Sequence, residues 1–188
     1  MSDKKFVPVM ITPYNLKAEV DLDVVSILVE FYLAAGVKGF FANCLSSEMF
    51  SITENERLEL TAHIVKQVRG RVPVVATGSF GLTIADKALF TRKIYDTGID
   101  AAIMITGHFA KEEDTDETLL RNFEQLFLAT GNIPLGMYEC PAPYKRIITA
   151  DVFRKLLAAN RLVYHKDTSI THENVQAKLD ILKETENS

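Results

Sequence analysis

Two cysteines in 188 residues, Cys44 and Cys140, are too few for a disulfide framework, and they lack the paired spacing of a structural zinc site. Reduced thiols are the default reading. There is no Lys/Arg-rich run and the formal net charge is −4, so nothing marks the chain as a binder of nucleic acid or of an anionic membrane. Long apolar runs are also missing. The opening segment MSDKKFVPVMITPYN has only a short apolar stretch interrupted by Pro8 and Pro13. That pattern fits neither a signal peptide nor a membrane span, and the expected location is cytoplasmic. A Gly-rich phosphate turn is absent after the first apolar run, and GSFG at 78–81 is not a dinucleotide fingerprint.

The composition that is present, 47% hydrophobic, is that of an ordinary globular chain with material for one sizeable core. Short β-rich runs recur at FVPVMIT (6–12), VKGFFAN (37–43), VPVVAT (72–77), AAIMIT (101–106), IPLGMY (133–138) and RLVYHK (161–166). A helical pattern follows each run, giving a repeat of about thirty residues. TENE opens the second helix with a Thr53/Glu56 capping box, and TIAD opens the third with a weaker Thr83/Asp86 version. Gly36, Gly98 and Gly131 stand where helices one, three and four should stop. Helices five and six are expected after Thr149 and Thr171. Regular strand–helix alternation requires parallel strands joined by right-handed crossovers. A doubly wound sheet and a barrel both satisfy this, and the missing phosphate turn favours an α/β fold of the TIM (β/α)8 type. The six units are read as a single barrel domain over residues 1–188.

Polar or reactive residues gather just after the strands, at 43–48, 77–79, 106–108, 138–141 and 166–169. In a barrel these positions converge on the face that carries the active site. Lys166 ends an apolar run, and the simplest reading is a snorkelling ammonium that reaches water. Strand alternation offers another. It puts Leu162, Tyr164 and Lys166 on one side and Val163 and His165 on the other, so Lys166 can point into a barrel while His165 faces the helices. Burial disfavours an ammonium, and a neutral amine can form a Schiff base with a carbonyl compound. Tyr138, at the tip of the preceding strand, offers a phenol for the proton transfers that this chemistry needs.

GMYECPAPYKR with LVYHKDTS resembles strands five and six of the dihydrodipicolinate synthase / N-acetylneuraminate lyase family of class I aldolases. The resemblance runs over essentially the whole chain: FVPVMITPYN is similar to the family's opening strand, and GFFANCLSSEMFSITENERLEL to its second strand, carboxylate-binding loop and following helix. It implies a (β/α)8 barrel, a small 2-oxo acid such as pyruvate as substrate, no cofactor and no metal, and a homo-oligomer, dimer or tetramer. It further implies that Lys166 is the Schiff-base residue, that Tyr138 is the proton shuttle, and that Ser46 and Ser47 hold the substrate carboxylate. Three positions depart from the family pattern. Leu45 replaces a hydroxyl used in proton relay, Phe109 replaces a tyrosine that reaches a neighbouring subunit, and Pro143 stands where the synthases carry an arginine for a second carboxylate. A lyase or aldolase other than a true dihydrodipicolinate synthase is therefore expected. The alternative is a 2-oxo-acid-binding or inactive truncated member.

A closed barrel of this type needs about 250 residues, and the sixth helix already reaches the last residues, so units seven and eight are expected to be missing. Other polar residues have plainer readings. Cys44, His108 and Cys140 fall after strands but match no metal-binding spacing, and His63 and His172 read as packing or surface groups on helices. Glu48 is either an acid–base group or an acceptor of backbone hydrogen bonds. KEEDTDE (111–117) reads as a solvated loop leading into an acidic helix start, and Tyr144, Lys145 and Arg146 as either a pocket mouth or a surface loop.

Overall fold

A computed structural model describes residues 5–186. Five strands and six helices alternate: α1 (Leu22–Ala34), β1 (Phe40–Phe41), α2 (Glu54–Val68), β2 (Val74–Thr77), α3 (Ile84–Tyr95), β3 (Ala101–Ile105), α4 (Asp116–Thr130), β4 (Leu135–Tyr138), α5 (Ala150–Leu157), β5 (Leu162–Lys166) and α6 (His172–Glu186). They form two compact units, residues 5–78 with 91–102, and residues 79–90 with 103–186, so that α3 and β3 each contribute to both. Among the described residues no helix is long and apolar enough to cross a membrane.

In the first unit β1 pairs in parallel with β2, Phe40 opposite Val74 and Phe41 opposite Val75, and β3 follows β2 in the sheet. The four residues of β2 are all buried, which is why this strand reads as a continuous apolar run instead of an alternating one. The segment expected to be the first strand, 6–12, is not a regular strand. It lies along β1 through a single parallel bridge, Val9 to Phe41, with Phe41 donating to Pro8 O at 2.9 Å and Met10 donating to Phe41 O at 3.0 Å. The interruption has a covalent cause, because Pro8 has no N–H for the next rung.

Helix boundaries follow local chemistry closely. Thr53 caps α2 in a full capping box with Glu56, and Thr83 and Asp86 exchange equivalent bonds at the start of α3. Thr149 caps α5, and Gly131 ends α4 at φ +58°. Arg71 makes a two-bond pair with Glu30 (2.8 and 2.6 Å), and His63 Nε2 meets Ser26 Oγ at 2.7 Å, tying α2 and its C-terminal loop to α1.

In the second unit the sheet order is β3, β4, β5, and β4 pairs with β5 in parallel. The pairing has an irregularity. Leu135 stands opposite Leu162, but Gly136 stands opposite Tyr164, so Val163 is passed over, Met137 meets His165 and Tyr138 meets Lys166. Gly136 makes room for the Tyr164 side chain: an added Cβ there would lie 2.5 Å from Ile103 Cδ1 and 2.8 Å from Tyr164 Cβ. Replacing Gly136 by Ala should therefore overpack this face and lower stability by about 1–3 kcal/mol. At Gly131 no atom lies within 4 Å of an added Cβ. There Ala should cost only backbone strain, about 1–3 kcal/mol, because φ +58° with ψ −126° is a conformation that favours glycine. Urea unfolding of both variants measures this, and a wild-type midpoint for Gly136→Ala would contradict the packing account.

Candidate active site

The register of β4 on β5 brings Tyr138 and Lys166 side by side at the strand ends. Tyr138 is buried, at 3% exposure, and Lys166 is half-buried. The Lys166 Nζ lies over the phenol ring, 4.4 Å from its centroid, the arrangement in which an aromatic face attracts a cation. On the opposite side of β5, His165 packs its ring 5.2 Å from that of Phe153 on α5, so the alternation expected along this strand is present. The amine and the phenol thus sit in contact on one side of the sheet, with Tyr138 O accepting a bond from the Thr106 hydroxyl at 3.4 Å.

The residues that follow these two form a buried ionic cluster. Glu139 comes directly after Tyr138 and is fully buried, and Asp167 comes directly after Lys166. Lys178 of α6, 4% exposed, places its ammonium 2.6 Å from Glu139 Oε1 and 2.7 Å from Asp167 Oδ2. The remaining lone pairs are used as well. Glu139 accepts from Ile148 N–H at 3.0 Å and Thr168 N–H at 2.9 Å, and Asp167 accepts from the Ser169 N–H and hydroxyl at 2.8 and 2.6 Å. Burial pushes the Asp167 carboxyl up, but the Lys178 ammonium and the Ser169 donors outweigh it and hold the group down at about 2. Glu139 is lowered in the same way: bonds from His165, Lys178 and two backbone N–H groups overcome its burial. Donor atoms of Glu139, His165 and Asp167 lie within 4.8 Å of one another, a spacing that can hold a metal ion. A side-chain cation, the Lys178 ammonium, already bridges the two carboxylates.

Next to this cluster the loop after β3 is docked, not merely solvated. Arg146 donates to Lys111 O, Asp114 O and Asp116 Oδ1, each at 2.9 Å, and the Tyr144 hydroxyl donates to Ala110 O. Under the loop His108 Nδ1 meets the Ser79 carbonyl at 2.8 Å. A carbonyl can only accept, so Nδ1 carries the proton. Burial and the nearby Lys87 push the His108 pKa down against the opposing effect of that bond. A cleft of about 700 Å³ opens here, lined by Thr83, Lys87, His108, Asn122 and Tyr144 among others, and Lys166 is not one of its lining residues. Phe109, 1% exposed, stacks on Phe123 of α4 with ring centroids 4.4 Å apart.

The other expected site residues lie in the first unit, on the 3₁₀ turn Leu45–Ser47. Ser46 is exposed and Leu45 half-buried. Ser47 is fully buried and its hydroxyl is engaged on both sides, donating to Met10 O at 2.6 Å and accepting from Cys44 N–H at 3.1 Å. Glu48 ends the turn in the left-handed region, exposed to solvent.

Residues 3–188 match the family model of the Dihydrodipicolinate synthetase family. The chain belongs to this family. Among curated proteins it is 32% identical over 148 residues to 4-hydroxy-tetrahydrodipicolinate synthase 2 of Halalkalibacterium halodurans, covering 78% of this chain and 49% of that protein. Two solved structures share the fold. The dihydrodipicolinate synthase of Bacteroides thetaiotaomicron aligns with TM-score 0.84 and 22% identity, over 96% of this chain and 59% of that one. A prophage protein of the family from E. coli K12, determined in complex with pyruvate, aligns with TM-score 0.83 and 19% identity, over 100% and 62%. The fold is therefore of the TIM-barrel type, and the chain spans about half the length of the curated relatives it matches.

The sequence singles out Tyr138 and Lys166, which the structure brings together, but not the ionic cluster beside them. A signal was there: Glu139 interrupts an apolar strand end, and Lys178 falls in helical phase with the buried Ile181 on α6. The cluster has a measurable consequence. Asp167 ionises at about 2 in the folded chain against an ordinary 3.8, so its contribution to stability is complete above about pH 4 and is lost as pH falls through about 2. Chemical denaturation at pH 4 and pH 2.5 should show wild type losing stability, with a shallower loss in Asp167→Asn. Identical pH slopes would refute the assignment.

Proposed function

We propose that the protein is an aldolase-type lyase that holds a 2-oxo acid, pyruvate or a close analogue, as a Schiff base on Lys166. The observation that carries this reading is the Tyr138–Lys166 contact, which sets an amine against a phenol at paired strand ends in a member of the dihydrodipicolinate synthetase family. The neutral amine adds to the 2-oxo carbon to give a carbinolamine. Tyr138 then protonates the departing oxygen, which leaves as water, and the protonated imine draws electrons from the adjacent carbon. Loss of a proton there gives an enamine that adds to an aldehyde, and reversal of the sequence cleaves the adduct.

Support for the carboxylate site comes from the family resemblance of the Leu45–Ser47 turn. Ser46 is the exposed hydroxyl, whereas Ser47 acts through the backbone it pins, because its own hydroxyl is spent on Met10 and Cys44. Leu45 and Pro143 narrow the reading further. With apolar groups where the synthases carry a relay hydroxyl and an arginine, a monocarboxylic product is favoured over dihydrodipicolinate synthesis. Phe109 lies at the position of the subunit-bridging tyrosine, so any homo-oligomer would have to form without that hydroxyl. A second reading, capture of the carbonyl without turnover, draws on the same substitutions.

Incubation with pyruvate and borohydride, followed by intact-mass analysis and peptide mapping, tests the proposal. A stable secondary amine should form on Lys166 and be absent from Lys166→Ala. Tyr138→Phe should slow its formation by on the order of 10²-fold. An equal adduct in Lys166→Ala, or none with any 2-oxo acid in folded wild type, would overturn it, and an adduct without aldol cleavage would select the capture reading.

A further inference from the structure

The ionic cluster behind the strand ends has a geometry that packing alone does not require. Glu139 is the next residue after Tyr138, Asp167 is the next after Lys166, and both carboxylates converge on one ammonium, that of Lys178, at 2.6 and 2.7 Å. We infer that Lys178 is a positioning residue: it clamps the end of β4 to the end of β5 and so holds the Lys166 amine against the Tyr138 ring. The inference rests on the Schiff-base reading for its functional meaning, but its structural content stands on the distances.

Three features support a clamp over an incidental ion pair. The first is the number of other bonds that cross the same junction. Glu139 N–H donates to Lys166 O at 3.2 Å, the Thr168 hydroxyl donates to Glu139 O at 2.5 Å, and Thr168 N–H donates to Glu139 Oε2 at 2.9 Å. The residues just after Tyr138 and Lys166 are therefore joined at the same junction that the Lys178 ammonium bridges. The second is burial. The side chains of Lys178 and Glu139 are 5% and 0% exposed, so the pair is not screened as surface pairs are, and loss of one partner leaves the other charge uncompensated. The third is placement. Lys178 is carried by α6, a long regular helix, so the ammonium is delivered by a rigid element, and a reacting pair held from behind in this way keeps its alignment during turnover. The nearby His165 Nε2 lies 3.5 Å from the same Glu139 Oε1.

Trace acetylation with acetic anhydride, read residue by residue by mass spectrometry, tests this on the full chain. In Lys178→Met the Lys166 amine should leave the Tyr138 ring, label at least about threefold faster, and trap pyruvate with borohydride about tenfold more slowly. Exposed Lys66 should label as in wild type, and the buried thiols Cys44 and Cys140 should stay unreactive, which separates release of the clamp from unfolding. Lys178→Arg, which keeps the charge, should restore most of both rates. Should Lys178→Met not fold, Asp167→Asn makes the same comparison, since it releases Lys166 while leaving the Glu139–Lys178 pair and the Ser169 contacts in place. A folded variant with wild-type labelling and trapping would overturn the inference. Failure of wild type to trap pyruvate would instead count against the Schiff-base reading, while the labelling comparison still decides whether Lys178 sets the position of Lys166.

Discussion

The pairing of β4 with β5 passes over one residue, and the chemistry available at the strand ends depends on that step. With Leu135 opposite Leu162 and a regular ladder, Tyr138 would meet His165, whose side chain points to the helices. Because strand side chains alternate, a slip of one residue exchanges the two sides completely. The irregularity after Leu135 restores agreement between the strands, so that Gly136 and Tyr138 lie with Tyr164 and Lys166. Gly136 makes this possible, since no side chain larger than hydrogen fits between Ile103 and Tyr164. The register after Leu135 thus decides which groups meet at the strand end, and the close approach of Ile103 and Tyr164 to Gly136 leaves no room for a side chain there.

The charges behind the strand ends obey a different balance. Ion pairs at the surface, such as Lys155 with Asp151, are screened by water and contribute little. Lys178, Glu139 and Asp167 have given up most of their hydration and must recover it from one another and from backbone donors. The two carboxylates accept four further bonds from Ile148, Thr168 and Ser169, which makes the cluster self-sufficient and directional. Such an arrangement tolerates little displacement, and it joins the chain at the positions adjacent to Tyr138 and Lys166.

The loop after β3 belongs to the same side of the second unit's chemistry. Its acidic sequence suggests solvation, yet Arg146 gathers two of its carbonyls and the Asp116 carboxylate, and Tyr144 holds Ala110. His108, with its proton on Nδ1, lies in the cleft this loop borders. The segment Tyr144–Arg146 is therefore neither a free surface loop nor simply a pocket mouth. It is the tie that fixes one wall of the cleft.

Most of the architecture is legible in the chain because it depends on local chemistry. Apolar runs at a regular spacing, Thr53 and Thr149 as caps and Gly131 as a stop each act within a few residues, and they mark the helices and all five described strands without reference to anything distant. Pro8 reduces the first run to a single bridge because a proline lacks the donor for a ladder rung, a rule also local but outweighed in the sequence by the apolar pattern around it. The places of Lys166 and Tyr138 at strand ends were likewise readable. Their contact was not, since it depends on the register shift after Leu135. Nor was the cluster at Lys178, whose three charged groups are brought together from separate strands and a helix. Each stands in the sequence as a charge without a visible partner; only tertiary folding removes the water and makes them partners.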